Sequence, residues 1–204
     1  MTQITPETLV QRIKALSGQG RKLIAIAGAP GSGKSTLAED LADQLGPTAA
    51  VMPMDGFHLD NDTLHAMDLF HRKGAPETFD ADGFVSLIKR LRDKDTVPYP
   101  TFDRDADRTV PDGGQINETT RIVLVEGNYL LLNQSPWDSL AGLFDMTVRL
   151  VVDHETLAAR LITRWIDHGL SPENARDRAL GNDMVNVRYV DAHSFDPDYM
   201  IRSS

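Results

Sequence analysis

Residues 28–35 read Gly-Ala-Pro-Gly-Ser-Gly-Lys-Ser and fit the pattern G-x-x-x-x-G-K-[ST] without a mismatch. Glycines at this spacing let backbone N–H groups turn inward around phosphate oxygens, and a helix that follows points its positive end at them. Lys34 is expected to reach the β- and γ-phosphates of a nucleotide, and the Ser35 hydroxyl to ligate Mg²⁺. Ala29, Pro30, Gly31, Ser32, Gly33 and Thr36 complete the expected cradle. Two carboxylates close apolar, strand-like segments: Asp55 after Ala49–Met54, and Glu126 after Ile122–Val125. In open α/β sheets ligands bind outside the carboxyl ends of the strands. Phosphoryl transfer needs one carboxylate near the metal and one to accept the proton of an incoming hydroxyl. Glu126 is therefore expected near Mg²⁺, directly or through water, and Asp55 is the candidate base. The plainer reading of each is an acid that caps a loop.

Further along, Arg160 and Arg164 stand four apart and share one helix face, while Leu157, Leu161 and Trp165 take another. Arginines near a helix-loop-helix can close over a transferring phosphate and neutralise its developing charge. Arg164 is the expected catalytic cation, with Arg160 beside it on the nucleotide. Arg176 and Arg178 are further candidates, and a solvated helix face is the rival account. His58, Arg72 and Lys73 fall in the irregular stretch after Asp55, where an acceptor pocket would be built. Asp103-Arg104-Asp105-Ala106-Asp107 alternates acids like a calcium loop, but lacks Gly at the sixth position and Glu at the twelfth. It reads as a solvated turn.

The elements that must position these groups follow from periodicity. Thr5-Pro6 starts a helix carrying Leu9, Ile13 and Leu16 to Gly18. Lys22–Ala27 reads as a strand, and Leu37, Leu41 and Leu45 as one face of the helix after the glycine-rich loop. Ala49–Met54 reads as a second strand. Residues 56–80 hold at most a short helix from Asn61, 82–92 are helical, and 96–120 break into short extended pieces with turns. Ile122–Val125 and Met146–Val152 read as buried strands of a parallel sheet. Helices are expected over 154–168 and 172–188, and a last strand at Tyr199–Ile201. Strands alternating with helices argue a three-layer α/β fold in one domain spanning 1–204.

The 204 residues allow one α/β domain with a sizeable core. A net charge of −9 argues against nucleic acid or an anionic membrane as the main partner. The absence of cysteine excludes disulfides, thiolate catalysis and cysteine-ligated metal. The N-terminus has no basic or apolar leader region, and no apolar run approaches membrane-spanning length, so a cytoplasmic location is the expectation.

With these residues in view, the chain resembles the P-loop kinases of the uridine kinase, bacterial pantothenate kinase and phosphoribulokinase family. The segments that carry the likeness are Met54–Asn61, Arg72–Asp80, Tyr99–Asp103, Val125–Leu130 and Gly181–Asn186, in family order across nearly the whole chain. They are most similar to the subgroup of fructose transport system kinases. The resemblance implies a parallel sheet of about five core strands with a mobile helical lid near 156–180. It implies transfer of the ATP γ-phosphate to a small-molecule hydroxyl, with Asp55 as base, Glu126 near Mg²⁺ and Arg164 on the lid. Uridine kinases carry a tyrosine near the position of His58 and an aromatic-rich uracil pocket that the sequence does not display. The Tyr, Ser and His of pantothenate kinases are replaced by Thr101-Phe102-Asp103. A polar pocket of Asp55, His58, Arg72, Asp103 and Arg104 suits a sugar or polyol. Relatives often pair, so a homodimer is one expectation, although no heptad or apolar stripe demands it.

Two other classes stay open. A guanine-nucleotide switch would carry an Asn/Thr-Lys-x-Asp motif, which the sequence lacks. A subunit that binds ATP only to hold a transport or carbohydrate complex together would show slow ATP hydrolysis without acceptor dependence.

Overall fold

The computed structural model describes residues 1–93 and 96–203. Along the chain these form β1 (Thr2–Gln3), α1 (Pro6–Lys14), β2 (Lys22–Gly28), α2 (Lys34–Leu45), β3 (Ala49–Pro53), α3 (Asn61–Ala66) and α4 (Ala81–Asp93). Then come β4 (Val97–Asp103), β5 (Arg108–Ile116), β6 (Ile122–Gly127), β7 (Met146–Val151), α5 (His154–Asp167), α6 (Pro172–Arg178), α7 (Met184–Ala192) and β8 (Tyr199–Arg202). Helix starts follow local capping chemistry. Thr5, Asp60, Asp153 and Ser171 each accept a backbone N–H three residues on, and Pro6 and Pro172 occupy first-turn positions that need no donor.

A six-stranded sheet has the order β1-β8-β7-β2-β6-β3, and every neighbouring pair is parallel. Five of these strands are the core strands that the sequence points to. The sixth, β1, is a two-residue edge piece paired to β8, too short to leave a periodic signal. After Lys22 the central strand β2 carries no polar side chain, because both its faces are covered. Leu23, Ala25 and Ala27 pack on one side with Met52, Met54, Val123 and Val125. Ile24 and Ile26 pack on the other with Ala38, Leu41, Leu124 and Val148. This is the two-residue alternation of a strand expressed as two cores, with each fully buried Leu or Ile worth about 1.5–3 kcal/mol.

Three details differ from the sequence reading. The stretch 96–120 is a paired antiparallel hairpin, β4–β5, standing apart from the main sheet. The helix expected over 172–188 is two, α6 and α7, joined by a π-helical turn at Ala179–Asp183. The first helix stops at Lys14, although Leu16 still packs against the core.

Gly56 decides how the hairpin meets the sheet. A Cβ there would lie 1.9 Å from the Pro100 carbonyl oxygen, so only glycine lets β4 close onto the turn after β3. That turn, Met54–Phe57, carries Asp55.

Candidate functional site

Register brings the candidate groups together. Glu126 pairs in register with Ile26 of β2 and with Pro53 of β3, so its carboxylate emerges between the strands that feed the glycine-rich loop and Asp55. A cavity of about 290 Å³ lies outside these strand ends. Pro30, Gly31, Gly33, Lys34, Ser35 and Thr36 line it from the loop side, and Asp55, His58, Lys73, Arg104 and Arg164 from the other elements.

Gly31 and Gly33 have φ of 76° and 88°, backbone conformations that glycine adopts without steric cost. Gly33 precedes α2, whose first turn carries no acidic residue to oppose an anion. Ser32 is buried, and a Cβ on Gly28 would stand 2.7 Å from its Oγ, so glycine at the strand end leaves room for that hydroxyl.

Three buried side-chain oxygens find no hydrogen-bond partner among the described residues: Ser32 Oγ, Glu126 Oε2 and Asn128 Oδ1. All three belong to the phosphate loop or to the end of β6. Buried polar groups are usually satisfied, and such a cluster of exceptions needs a reason. Ser35 Oγ donates to Glu126 Oε1 at 2.9 Å, and Lys34 Nζ stands 3.8 Å from Glu126 Oε2, beyond hydrogen-bond reach. A hydroxyl beside a half-satisfied carboxylate is a hard-oxygen set that suits Mg²⁺, which keeps most of its shell for water and phosphate. No cluster of three or more acidic or histidine ligands occurs among the described residues, and such a site does not need one.

Burial pushes the Glu126 carboxyl up, Lys34 opposes that, and Asp55 adds to it; the net direction is upward. Burial also works to raise Asp55, but Lys34, His58, Arg104 and Arg164 together outweigh it and hold Asp55 below the usual carboxylate range. The two acids are thus driven apart, one toward the protonated form and one firmly ionised. Arg104 Nη2 donates to Asp55 Oδ2 at 2.6 Å. His58 Nδ1 donates to the Asp55 carbonyl at 2.7 Å, which assigns that proton, and its ring lies 4.1 Å from Phe79 and 4.7 Å from Phe102 between centroids. Burial lowers the His58 pKa, so it forms a neutral, aromatic part of the wall.

Arg164 and Trp165 of α5 both reach the cavity. The Trp165 indole donates to Asp183 Oδ2 at 2.6 Å, and its ring lies 5.8 Å from the Arg164 guanidinium and 5.2 Å from that of Arg178. Arg178 donates to the carbonyls of His71 at 2.8 Å and Lys73 at 3.0 Å, tying α6 to the acceptor-side loop. Burial lowers the Arg164 pKa, with Arg104 adding to it, while Asp183 and Asp55 pull the other way.

Several expected residues lie elsewhere. Arg72 pairs with Glu77 at 2.5 Å and lines a separate pocket beside Trp137 and Tyr189. Its neighbour Lys73 takes the place at the cavity. Asp103 accepts the N–H groups of Asp105 and Ala106 and closes the hairpin turn, while Arg104 turns to the site. Arg160 Nη1 lies 3.4 Å from the Gly31 carbonyl and leans on the back of the loop. Ala29 packs with the α5 cluster. The sequence reading missed Phe102, Asn128 and Asp183 as lining residues and placed Trp165 on a face away from the arginines. Phe102, Asn128 and Asp183 all sit inside the segments that carried the family likeness, and that was the available signal.

Comparison with known proteins follows the same line. A sequence model of the phosphoribulokinase/uridine kinase family matches residues 23–191. A Schizosaccharomyces pombe protein named “putative uridine kinase C227.14” is 37% identical over 204 residues, covering 93% of this chain and 86% of its own. The solved structure of a “putative fructose transport system kinase” from Silicibacter sp. TM1040 superposes with a TM-score of 0.93 at 43% identity, over 97% of this chain and 98% of that one. The fold is shared with YFH7 of Saccharomyces cerevisiae, TM-score 0.80 at 20% identity, over 98% and 99% of the two chains. The chain belongs to the phosphoribulokinase/uridine kinase family, and its fold is that of a P-loop kinase.

Proposed function

We propose that this member of the family moves the γ-phosphate of Mg·ATP to a hydroxyl of a small sugar-like metabolite, fructose or a related alcohol. The observation that carries the reading is that the glycine-rich loop, Lys34 and Ser35 line one cavity with an ionised Asp55, while the Glu126 carboxylate bonded to Ser35 keeps a buried oxygen without a hydrogen-bond partner. The loop N–H groups and Lys34 bind the phosphates. Ser35 and Glu126 are the residues that would hold Mg²⁺, which supplies charge neutralisation at the phosphate oxygens when bound. The acceptor oxygen attacks γ-phosphorus as the bond to the β–γ bridging oxygen breaks, and the hydroxyl proton passes to the Asp55 carboxylate. Arg164 neutralises the transferring group, and α5 and α6 act as a lid over residues 156–180 that keeps water out. Polar groups at the acceptor side support a polyol.

A nucleoside acceptor is the second reading. The rings of His58, Phe102 and Trp165 give the pocket more aromatic surface than the sequence displays, and a relative of 37% identity carries a uridine kinase name.

ADP release from Mg·ATP is measured against separate pools of sugars, polyols, nucleosides and pantothenate-like alcohols. One pool is expected to raise release several-fold above the acceptor-free rate, and splitting that pool names the substrate. A flat response with tight ATP binding would instead favour an ATP-binding regulatory subunit of a transport or carbohydrate system.

A further inference from the structure

The cavity beside the phosphate loop continues into a second chamber of about 380 Å³, the two sharing a wall that includes Lys73, Phe102, Arg104, Asp107, Arg164 and Arg178. Four cations line this chamber, Lys73, Arg104, Arg164 and Arg178, against a single carboxylate, Asp107. In a chain of net charge −9 such a surplus is a local exception. Like charges held together are costly unless something negative joins them. The nucleotide phosphates account for Lys34 and Arg164. Lys73 and Arg104 belong to the acceptor-side loop and to the β4–β5 hairpin, elements that contribute nothing to the phosphate loop.

These two cations differ in freedom. Lys73 Nζ is held 2.7 Å from Asp107 Oδ1 and 2.6 Å from Asn61 Oδ1, and its side chain is largely covered. Arg104 stands at the hairpin turn with its side chain 51% exposed, and its polar contact is with Asp55. With the Arg104 side of the pair this open to solvent the attraction is screened, so another anion in the chamber can take the guanidinium. The pair also occupies the group that must accept a proton.

We propose that the acceptor carries a fixed negative charge, a carboxylate or a phosphate, which Lys73 and Arg104 read from the second chamber, Arg104 leaving Asp55 for it as the acceptor seats. The inference rests on the kinase reading and narrows its acceptor to a sugar or polyol bearing an anion. Recognition and activation are then one event. The charge that binds the acceptor withdraws Arg104 from the base, and the C–H face of the sugar lies on Phe102 and Trp165.

The test uses matched pairs on the full chain at fixed ionic strength: glycerol with D-glycerate, sorbitol with gluconate, and fructose with its 1- and 6-phosphates. ADP release and direct binding are both followed. The charged member is expected to exceed its neutral partner at least about ten-fold in kcat/KM, as one charge-assisted hydrogen bond allows. The carboxylate and phosphate pairs separate the two sources of charge. Arg104→Gln is expected to cut the discrimination to under about three-fold, mainly by raising KM, and Arg104→Lys to restore part of it. Equal use of both members, or of uridine and the neutral sugars alone, would overturn the inference and leave the kinase standing. If no pair turns over, equilibrium binding decides, and a lack of preference for the charged members overturns it. Charged members that bind Mg·ATP-loaded protein yet receive no phosphate would instead overturn the kinase reading.

Discussion

Ser35 Oγ donates to Glu126 Oε1 at 2.9 Å, joining the first turn of α2 to the end of β6 across 91 positions of sequence. The bond leaves Glu126 Oε2 buried and without a hydrogen-bond partner, with Lys34 Nζ 3.8 Å away as its counter-charge. A buried carboxylate oxygen without a hydrogen-bond partner is a cost to stability, and the proposed Mg²⁺ site would account for it.

Replacing Glu126 by Gln removes the buried carboxylate while preserving shape. Burial raises the Glu126 pKa, so in the ligand-free protein its contribution favours folding at low pH and is lost as pH rises through the folded value. Glu126→Gln is expected to leave the melting temperature at neutral pH unchanged or higher, and to lower phosphoryl transfer by about 10²-fold or more. Melting curves at several pH values and initial rates check the two halves. A lower melting temperature with full activity would make Glu126 structural.

Lys34→Ala is expected to lower kcat/KM by about 10²–10³, the scale of losing one preorganised donor to transferring charge. Asp55→Asn is expected to lower kcat by about 10²–10⁴ with nucleotide affinity within a few-fold of the parent, as removal of a general base requires. Stopped-assay kinetics and nucleotide titration distinguish the two. Normal turnover by the Asp55 variant would end its assignment as base.

The pH profile of kcat/KM reports the same residue. Asp55 lies below the usual carboxylate range because four positive or partly positive neighbours outweigh burial. Its stabilising contribution is present above the unfolded value and is lost as pH falls through the folded one. Taking away one neighbour in Arg104→Gln is expected to move the acid limb to higher pH. A limb that stays in place would show that a different group governs it.

Gly56→Ala is expected to destabilise the fold by about 2–3 kcal/mol, the cost of forcing an atom into a packed contact, because the new Cβ falls 1.9 Å from the Pro100 carbonyl. Urea unfolding measures this directly. A loss below about 0.5 kcal/mol would mean that the hairpin moves aside freely.

Much of this was legible in the chain because it is local. The glycine-rich loop is one contiguous segment, and the proposed tasks of its glycines, lysine and serine are all set within it. Asp55 and Glu126 could be found because each closes an apolar strand, and a parallel sheet collects its strand ends at one edge. The five core strands and the helices between them followed from periodicity for the same reason. What the tertiary structure decided is direction between neighbours and pairing at a distance. Lys73 faces the site where Arg72 does not, and Arg104 where Asp103 does not, because tight turns rotate adjacent side chains apart. The register shift between Tyr99 and Thr101 helps set which hairpin residues face inward. Trp165 meets Asp183, 18 positions later, only because α5 and the π-helical turn pack together. Residue types carry the chemistry, and a sequence records them; orientation is a property of packing, which no single segment contains.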